Sequence, residues 1–329
     1  MGNFYAGIDL GGTKILTAIA DENGEILASK RVATQEKKGE AKIIENIYQS
    51  LQQTLAETGL NFADLQSIGV GSPGPLNTSE GVIYDTPNLP FANFPLKDML
   101  QDKVELPVFL ENDANAAALG EKIFGAGQNC SDQIYITVST GIGGGIIIGD
   151  KIFHGTGDGA GEIGHMIINP AGPTCGFEQH RGCLEAMASG TAIAREARRL
   201  LQNGRAPQLL KLLENKDINY KQDEIPGSLI ARAAREGEKT LTSVYREMGY
   251  YLGLGVASLI TLFNPELIIF GGGVMKARDL FWLEMKNTAA DNALPSSWQD
   301  CQLVEAELED RTGVMGAIAV ALHEDQEAK

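Results

Sequence analysis

Apolar positions open the chain in three short β-rich runs, Phe4 to Ile8, Ile15 to Ala20 and Ile26 to Val32, the last two separated by the turn residues Asp21-Glu-Asn-Gly24. Runs of that length bounded by turn signals predict strands, and three in succession predict a meander. From Ala41 to Leu60 the spacing changes. Ile43, Ile44, Ile47, Leu51 and Leu55 recur every three or four residues, the period of a helix with one buried face. A strand at Ile68-Gly-Val70, a strand at Val108-Phe-Leu110, a helix from Asp113 to Phe124 and strands at Ile134 to Val138 and Gly145 to Ile148 follow. This alternation predicts an α/β chain with a sheet in each half.

From Leu184 to Glu247 the pattern becomes strongly helical, with breaks near Gly204, Asp217 and Pro226. Met248 to Pro265 lacks charge and approaches the roughly 20 residues that span a bilayer. Gly249, Gly253, Gly255, Ser258 and Thr261 interrupt it, and it leads straight into Leu267-Ile-Ile-Phe270. A buried helix feeding a strand is expected there, and no membrane association. A Gly271-Gly-Gly273 turn, a helix from about Val274, a strand around Leu303 and a helix from Gly313 to His323 complete the pattern. One internal echo stands out: a strand leads into Asp9-Leu-Gly-Gly-Thr13 in the first half and into Ser139-Thr-Gly-Ile-Gly-Gly-Gly145 in the second. Two related lobes, each offering a glycine turn to the same phosphate chain, would produce it.

At 329 residues the length predicts about two domains. A net charge of −16 makes nucleic acid, polyphosphate and anionic lipid poor partners. Cys130, Cys175, Cys183 and Cys301 are too few for a disulfide framework and fit a reducing, cytoplasmic setting, and no export signal precedes Phe4. Gly is abundant, at 39 residues, and clusters after apolar runs, where backbone N–H groups can approach an anion.

The glycine clusters fail the usual nucleotide fingerprints. Gly141-x-Gly143 is followed by Ile146 where Gly or Ala is required, and Gly253-x-Gly255 by Ser258. Gly155-x-Gly157-x-x-Ala160 fits only the looser pattern, with no long helix after it, and Gly11-Gly-Thr-Lys14 lacks Walker A spacing. On their own, Asp9-Leu-Gly-Gly-Thr-Lys14 could be a hairpin turn and Glu111-Asn-Asp113-Ala-Asn115 a helix cap.

In order, however, these segments combine with Gly71-Ser-Pro-Gly74, Thr86-Pro-Asn-Leu-Pro90, Glu162-Ile-Gly-His165, Gly182-Cys-Leu-Glu185 and Asn264 to Gly273. Together they closely resemble the ROK family of bacterial sugar kinases, across almost the whole chain. The resemblance implies a two-lobed actin-like, hexokinase-like ATPase fold with a duplicated ribonuclease H-like core. It places a small α/β domain at 1–112, to which the helix at about 313–329 returns, and a large one at 113–312 with a helical insertion at about 184–247.

It also implies roles. Asp113 matches the base that accepts the proton of the sugar 6-hydroxyl, and Asn112 a sugar-binding neighbour. Gly11, Gly12 and Thr13 match one ATP phosphate loop and Thr140 and Gly141 the other, with Asp9 placed for Mg²⁺. Gly272 and Gly273 match the adenosine turn, and Asn88, Glu162, His165 and Glu185 the sugar-hydroxyl ligands. Within the family the chain looks most like glucokinases, with mannose, fructose, N-acetylglucosamine and N-acetylmannosamine as alternative hexoses, ATP as donor, and a homodimer or homotetramer as the assembly. A sugar-sensing protein without catalysis is the rival, and the start of the first strand at about Phe4 argues against a preceding helix-turn-helix.

The chain departs from the family at its structural zinc motif. The usual Cys-x-Cys-Gly-x-x-Gly-Cys is replaced by Cys175-Gly-Phe-Glu-Gln-His180-Arg-Gly-Cys183, with the outer cysteines eight positions apart instead of seven. His165, Cys175 and Cys183 retain three ligands, with His180 the best fourth and Glu178 a weaker one. Loss of the metal, with the loop held by packing, is the alternative.

Overall fold

The computed structural model describes residues 2–84, 86, 89–176 and 179–327. Its strands are β1 Phe4–Leu10, β2 Lys14–Asp21, β3 Ile26–Ala33, β4 Leu65–Ser72, β5 Leu76–Asn77, β6 Val82–Ile83, β7 Val108–Asn112, β8 Gln133–Val138, β9 Ile142–Ile148, β10 Lys151–Ile152, β11 Leu267–Gly271 and β12 Gln302–Glu305. They form two five-stranded sheets, β3-β2-β1-β4-β7 and β10-β9-β8-β11-β12, and the small pair β5-β6. The helices are α1 Glu40–Thr58, α2 Leu96–Val104, α3 Asp113–Phe124, α4 Leu184–Ala188, α5 Gly190–Gln202, α6 Pro207–Glu214, α7 Gly227–Arg235, α8 Lys239–Phe263, α9 Trp282–Asn292, α10 Pro295–Asp300 and α11 Thr312–Glu327.

Two compact units emerge. Unit 1 comprises Met1–Tyr135, Gly145–Gly161 and Val304–Lys329, and unit 2 comprises Ile136–Gly144 and Glu162–Leu303. These boundaries differ from 1–112 and 113–312, because α3 packs against α11 and so joins the first sheet.

In unit 1 the alternation along β1 assigns the faces: Ala6, Ile8 and Leu10 pack with Ile43, Ile47 and Leu51 of α1, while Tyr5 turns to Val314, Ile318 and Leu322 of α11. A Cβ on Gly69 of β4 would fall 2.0 Å from the Ala317 carbonyl, so glycine there lets α11 lie directly on the strands. β1 and β2 are antiparallel, whereas β1, β4 and β7 run parallel, with Asp9 opposite Gly71 and Gly71 opposite Glu111. One row across the carboxyl ends of three strands therefore carries Asp9, Gly71 and Glu111.

In unit 2 the helical stretch breaks where expected: α5 ends before Gly204, α6 before Asp217, and α7 starts after Pro226. Met248 to Pro265 lies largely in α8, which packs against α4, α5, α7 and α9 and leads to the fully buried β11. Among the described residues no helix is long and apolar enough to cross a membrane. The α-helix expected from about Val274 is instead a 3₁₀ segment, Gly273–Leu280, kinked at Ala277, with α9 starting at Trp282. Beside the kink the Arg235 guanidinium donates to the Lys276 carbonyl at 2.9 Å and pairs with the Asp279 carboxylate.

Candidate active site

In unit 1 the strand–helix junction at Glu111–Asn115 is built by mutual capping. The Asn112 side chain accepts from the N–H groups of Ala114 and Asn115, at 2.9 and 3.3 Å, and so starts α3. The buried Glu111 carboxylate accepts from the Asn112 N–H at 2.8 Å and from Asn115 Nδ2 at 3.1 Å. Asp113, first residue of the helix, is exposed at its amino end, where the helix dipole stabilises negative charge. Gly71 and Gly74 flank it: Cβ atoms built there would lie 3.9 Å from the Asp113 Cα and 3.2 Å from Asn112 Nδ2.

Two strands away in the same sheet, the turn from β1 to β2 closes with Gly11 N–H donating to the Lys14 carbonyl at 2.9 Å. Thr34, fully buried, clamps it: its hydroxyl donates to the Gly11 carbonyl at 2.7 Å and its N–H to the Thr13 carbonyl at 3.0 Å. Asn46 of α1 donates in turn to the carbonyls of Ala33 and Thr34. Gly12 and Thr13 are thereby presented at the surface of the turn. Burial raises the Asp9 carboxyl above its ordinary range, opposed by the charges of Lys14 and Arg31. A Cβ on Gly313 would sit 2.7 Å from Asp9 Oδ2, so glycine leaves that oxygen uncovered.

In unit 2 the turn from β8 to β9 is held from outside. Ile142 N–H donates to Glu185 Oε2 at 2.9 Å, Gly190 N–H to the Ser139 carbonyl at 2.8 Å, and the Thr191 hydroxyl to the Thr140 carbonyl at 2.9 Å. Thr140 and Gly141 face outward around this scaffold. Glu185, expected to face the sugar, thus commits one oxygen to the β8–β9 turn. Gly272 abuts the same turn with φ 92°, and a Cβ on it would meet the Val138 carbonyl at 2.4 Å, a position only glycine can fill. Gly273 follows at the head of the 3₁₀ segment.

Also in unit 2, Glu162 is exposed and its carboxylate lies 4.0 Å from His165 Nε2. One ligand atom from each of His165, Cys175, His180 and Cys183 falls within 4.8 Å of all the others. A tetrahedral zinc with bonds of about 2.0–2.3 Å needs ligand separations of about 3.3–3.8 Å, so small side-chain rotations would close the set. Cys175 Sγ is 2.9 Å from His180 Nδ1, and the Cys175 N–H donates to the His180 carbonyl, which brings the fourth ligand to the cluster. Burial pushes the Cys183 thiol above its ordinary range, a cost that a bound cation would reverse. Asn88 and Glu178 lie outside the described residues.

Sequence reasoning missed the clamps: Thr34 and Asn46 behind one turn, Thr191 behind the other, and His154, whose Nε2 lies 2.6 Å from Glu111 Oε2. None of these belongs to a recognisable motif. The looser fingerprint at Gly155 to Ala160 is a loop, closed by the Ala160 N–H donating to the His154 carbonyl at 3.1 Å.

A model of the ROK family matches residues 5–324. A glucokinase from Halalkalibacterium halodurans is 37% identical over 316 residues, covering 95% of this chain and 93% of its own. A xylose repressor from Caldicellulosiruptor bescii is 32% identical over 317 residues, 96% of this chain and 77% of its own. The crystal structure of a ROK family glucokinase from Streptomyces griseus in complex with glucose and AMPPNP matches with a TM-score of 0.80 and 34% identity, covering 98% of this chain and 100% of that one.

Proposed function

From the premise that this chain belongs to the ROK family, with its actin-like ATPase-type fold, we propose that it is an ATP-dependent kinase that phosphorylates the 6-hydroxyl of glucose. The observation that carries the reading is the exposed Asp113 carboxylate at the head of α3, fixed at the same sheet edge as Asp9 and the Gly11–Thr13 turn. Asp113 takes the hydroxyl proton as the sugar oxygen bonds to the γ-phosphorus, and the bond from that phosphorus to the bridging oxygen breaks to release ADP. Gly11, Gly12 and Thr13 cradle phosphate in unit 1; Thr140 and Gly141 do so in unit 2, with Gly272 and Gly273 against adenosine.

The half-buried Asp9 carboxylate, raised by desolvation and left uncovered by Gly313, fits a Mg²⁺ carried by ATP. Held there, such an ion would neutralise charge on the phosphates. Asn112 and Asn88 in unit 1, with Glu162, His165 and Glu185 in unit 2, take the sugar hydroxyls. A site built to bond several hydroxyls rejects analogues that lack them. The four-residue cluster fits a structural zinc held by His165, Cys175, His180 and Cys183, which would order the loop carrying His165.

The glucokinase relatives support glucose over other hexoses, and the repressor relative supports the second reading, a sugar sensor that does not catalyse. Hexose-dependent release of ADP from ATP separates the two: a sensor binds hexose and releases none.

A further inference from the structure

The Glu111 carboxylate is 5% exposed and spans the junction that displays Asp113. One oxygen accepts from the last N–H of β7 and from Asn115 in the first turn of α3; the other lies 2.6 Å from His154 Nε2. The chain places Asp113 between those anchor points. A carboxyl group this buried needs compensating hydrogen-bond partners, and a contact at this distance is a short one.

The geometry points to His154 as a positioning residue for the catalytic base, acting through Glu111 to hold the Asn112–Asp113 junction in register. This rests on the assignment of Asp113 as the base. The loop that carries His154 is itself anchored: Asp158 accepts from the N–H and hydroxyl of Thr78, at 3.2 Å each, and Phe153 N–H donates to the Ile146 carbonyl at 2.8 Å. His154 is therefore a fixed prop and not a mobile surface histidine, and Glu162, assigned to the sugar, follows eight residues later in the chain.

The groups facing His154 are Glu111 from β7, Asp158 from its own loop and Glu324 from α11. All are acidic. The hydrogen bond to Glu111, ahead of these charges and against partial burial, holds the imidazole above its ordinary range. A raised pKa gives a sign: the charged pair is complete below the usual histidine value, about 6.5, and weakens as pH rises through the raised one.

The test compares H154A, H154Q, D113N and H154A/D113N by kcat at saturating ATP and glucose, from about pH 6 to about pH 9. H154A is expected to lower kcat about tenfold while the KM for ATP stays within about twofold. H154Q keeps a neutral donor and is expected to restore kcat to within about threefold, without the alkaline step that His154 contributes to the wild-type profile. In the D113N background, removing His154 should cost nothing further, because its effect passes through Asp113. H154A with near-normal kcat and an unchanged profile overturns the role, as does H154Q that retains the wild-type alkaline step, which decides the matter if H154A folds poorly. An active D113N removes the base assignment and this proposal together; an inactive D113N beside a normal H154A removes this proposal alone.

Discussion

Unit 1 and unit 2 each present a glycine turn, but they hold their functional groups by different means. In unit 1, Asp9 and the Asn112–Asp113 pair stand at the carboxyl ends of parallel strands, so the ladder of β1, β4 and β7 sets their spacing. In unit 2, Thr140, Gly141, His165 and Glu185 sit on turns and short segments kept in place by a carboxylate on a backbone N–H and by a Cys/His cluster. Strand register is distributed over many bonds, whereas the unit 2 turn is held by three contacts, from Glu185, Gly190 and Thr191. Disturbing the first arrangement should show in the chemical step, and disturbing the second in substrate binding and stability.

The sharpest separation comes from D113N, which keeps the shape of the junction and loses the proton acceptor. It should lower kcat by at least about 10²-fold with little change in hexose KM. Comparable kcat and a raised KM would erase the distinction between the units. Next in size is removal of metal from unit 2. Elemental analysis should find one zinc per chain, and chelation should destabilise the protein by several kcal/mol, measured as a lower Tm, while raising the KM for hexose. Zinc well below one per chain with full activity contradicts the site; an unchanged stoichiometry in H180A leaves the site and removes only its fourth ligand.

The two turns can then be set against each other. A Cβ on Gly141 would fall 2.3 Å from Glu185 Oε2 and push that carboxylate off the Ile142 N–H, while one on Gly11 would meet only the Lys14 carbonyl at 3.2 Å. G141A should raise the KM for ATP about tenfold and G11A about threefold at most, since losing a charge-assisted bond costs about 1.5 kcal/mol or more. Equal effects would mean that the unit 2 turn does not depend on its clamp. A change smaller than that of G141A is expected from T34V, which removes the hydroxyl bonded to Gly11 but keeps the N–H bonded to Thr13. A loss of about 1 kcal/mol, about fivefold in ATP binding, is its upper range.

The same contrast governs what is legible in the sequence. The long strands of unit 1 follow from short apolar runs bounded by turn signals and α1 from period-3.6 spacing, because those signals are local, whereas α2 and the short β5, β6 and β10 left no such mark. The breaks at Gly204, Asp217 and Pro226 are equally local. The kink at Ala277 was not legible, and the Arg235 contacts beside it come from some forty residues earlier. Thr34, His154 and the turn-facing oxygen of Glu185 were hidden for the same reason: each acts on a backbone or side-chain group far along the chain, and nothing in its own neighbourhood marks it. The Cys/His cluster lay between these cases, legible through its ligand types although its spacing had changed.

Catalysis itself is decided by steady-state release of ADP from ATP, measured with purified protein across glucose, mannose, fructose, N-acetylglucosamine and N-acetylmannosamine. Hexose-dependent turnover with the highest kcat/KM for glucose is the predicted result. Saturable hexose binding without any hexose-dependent ADP would contradict it.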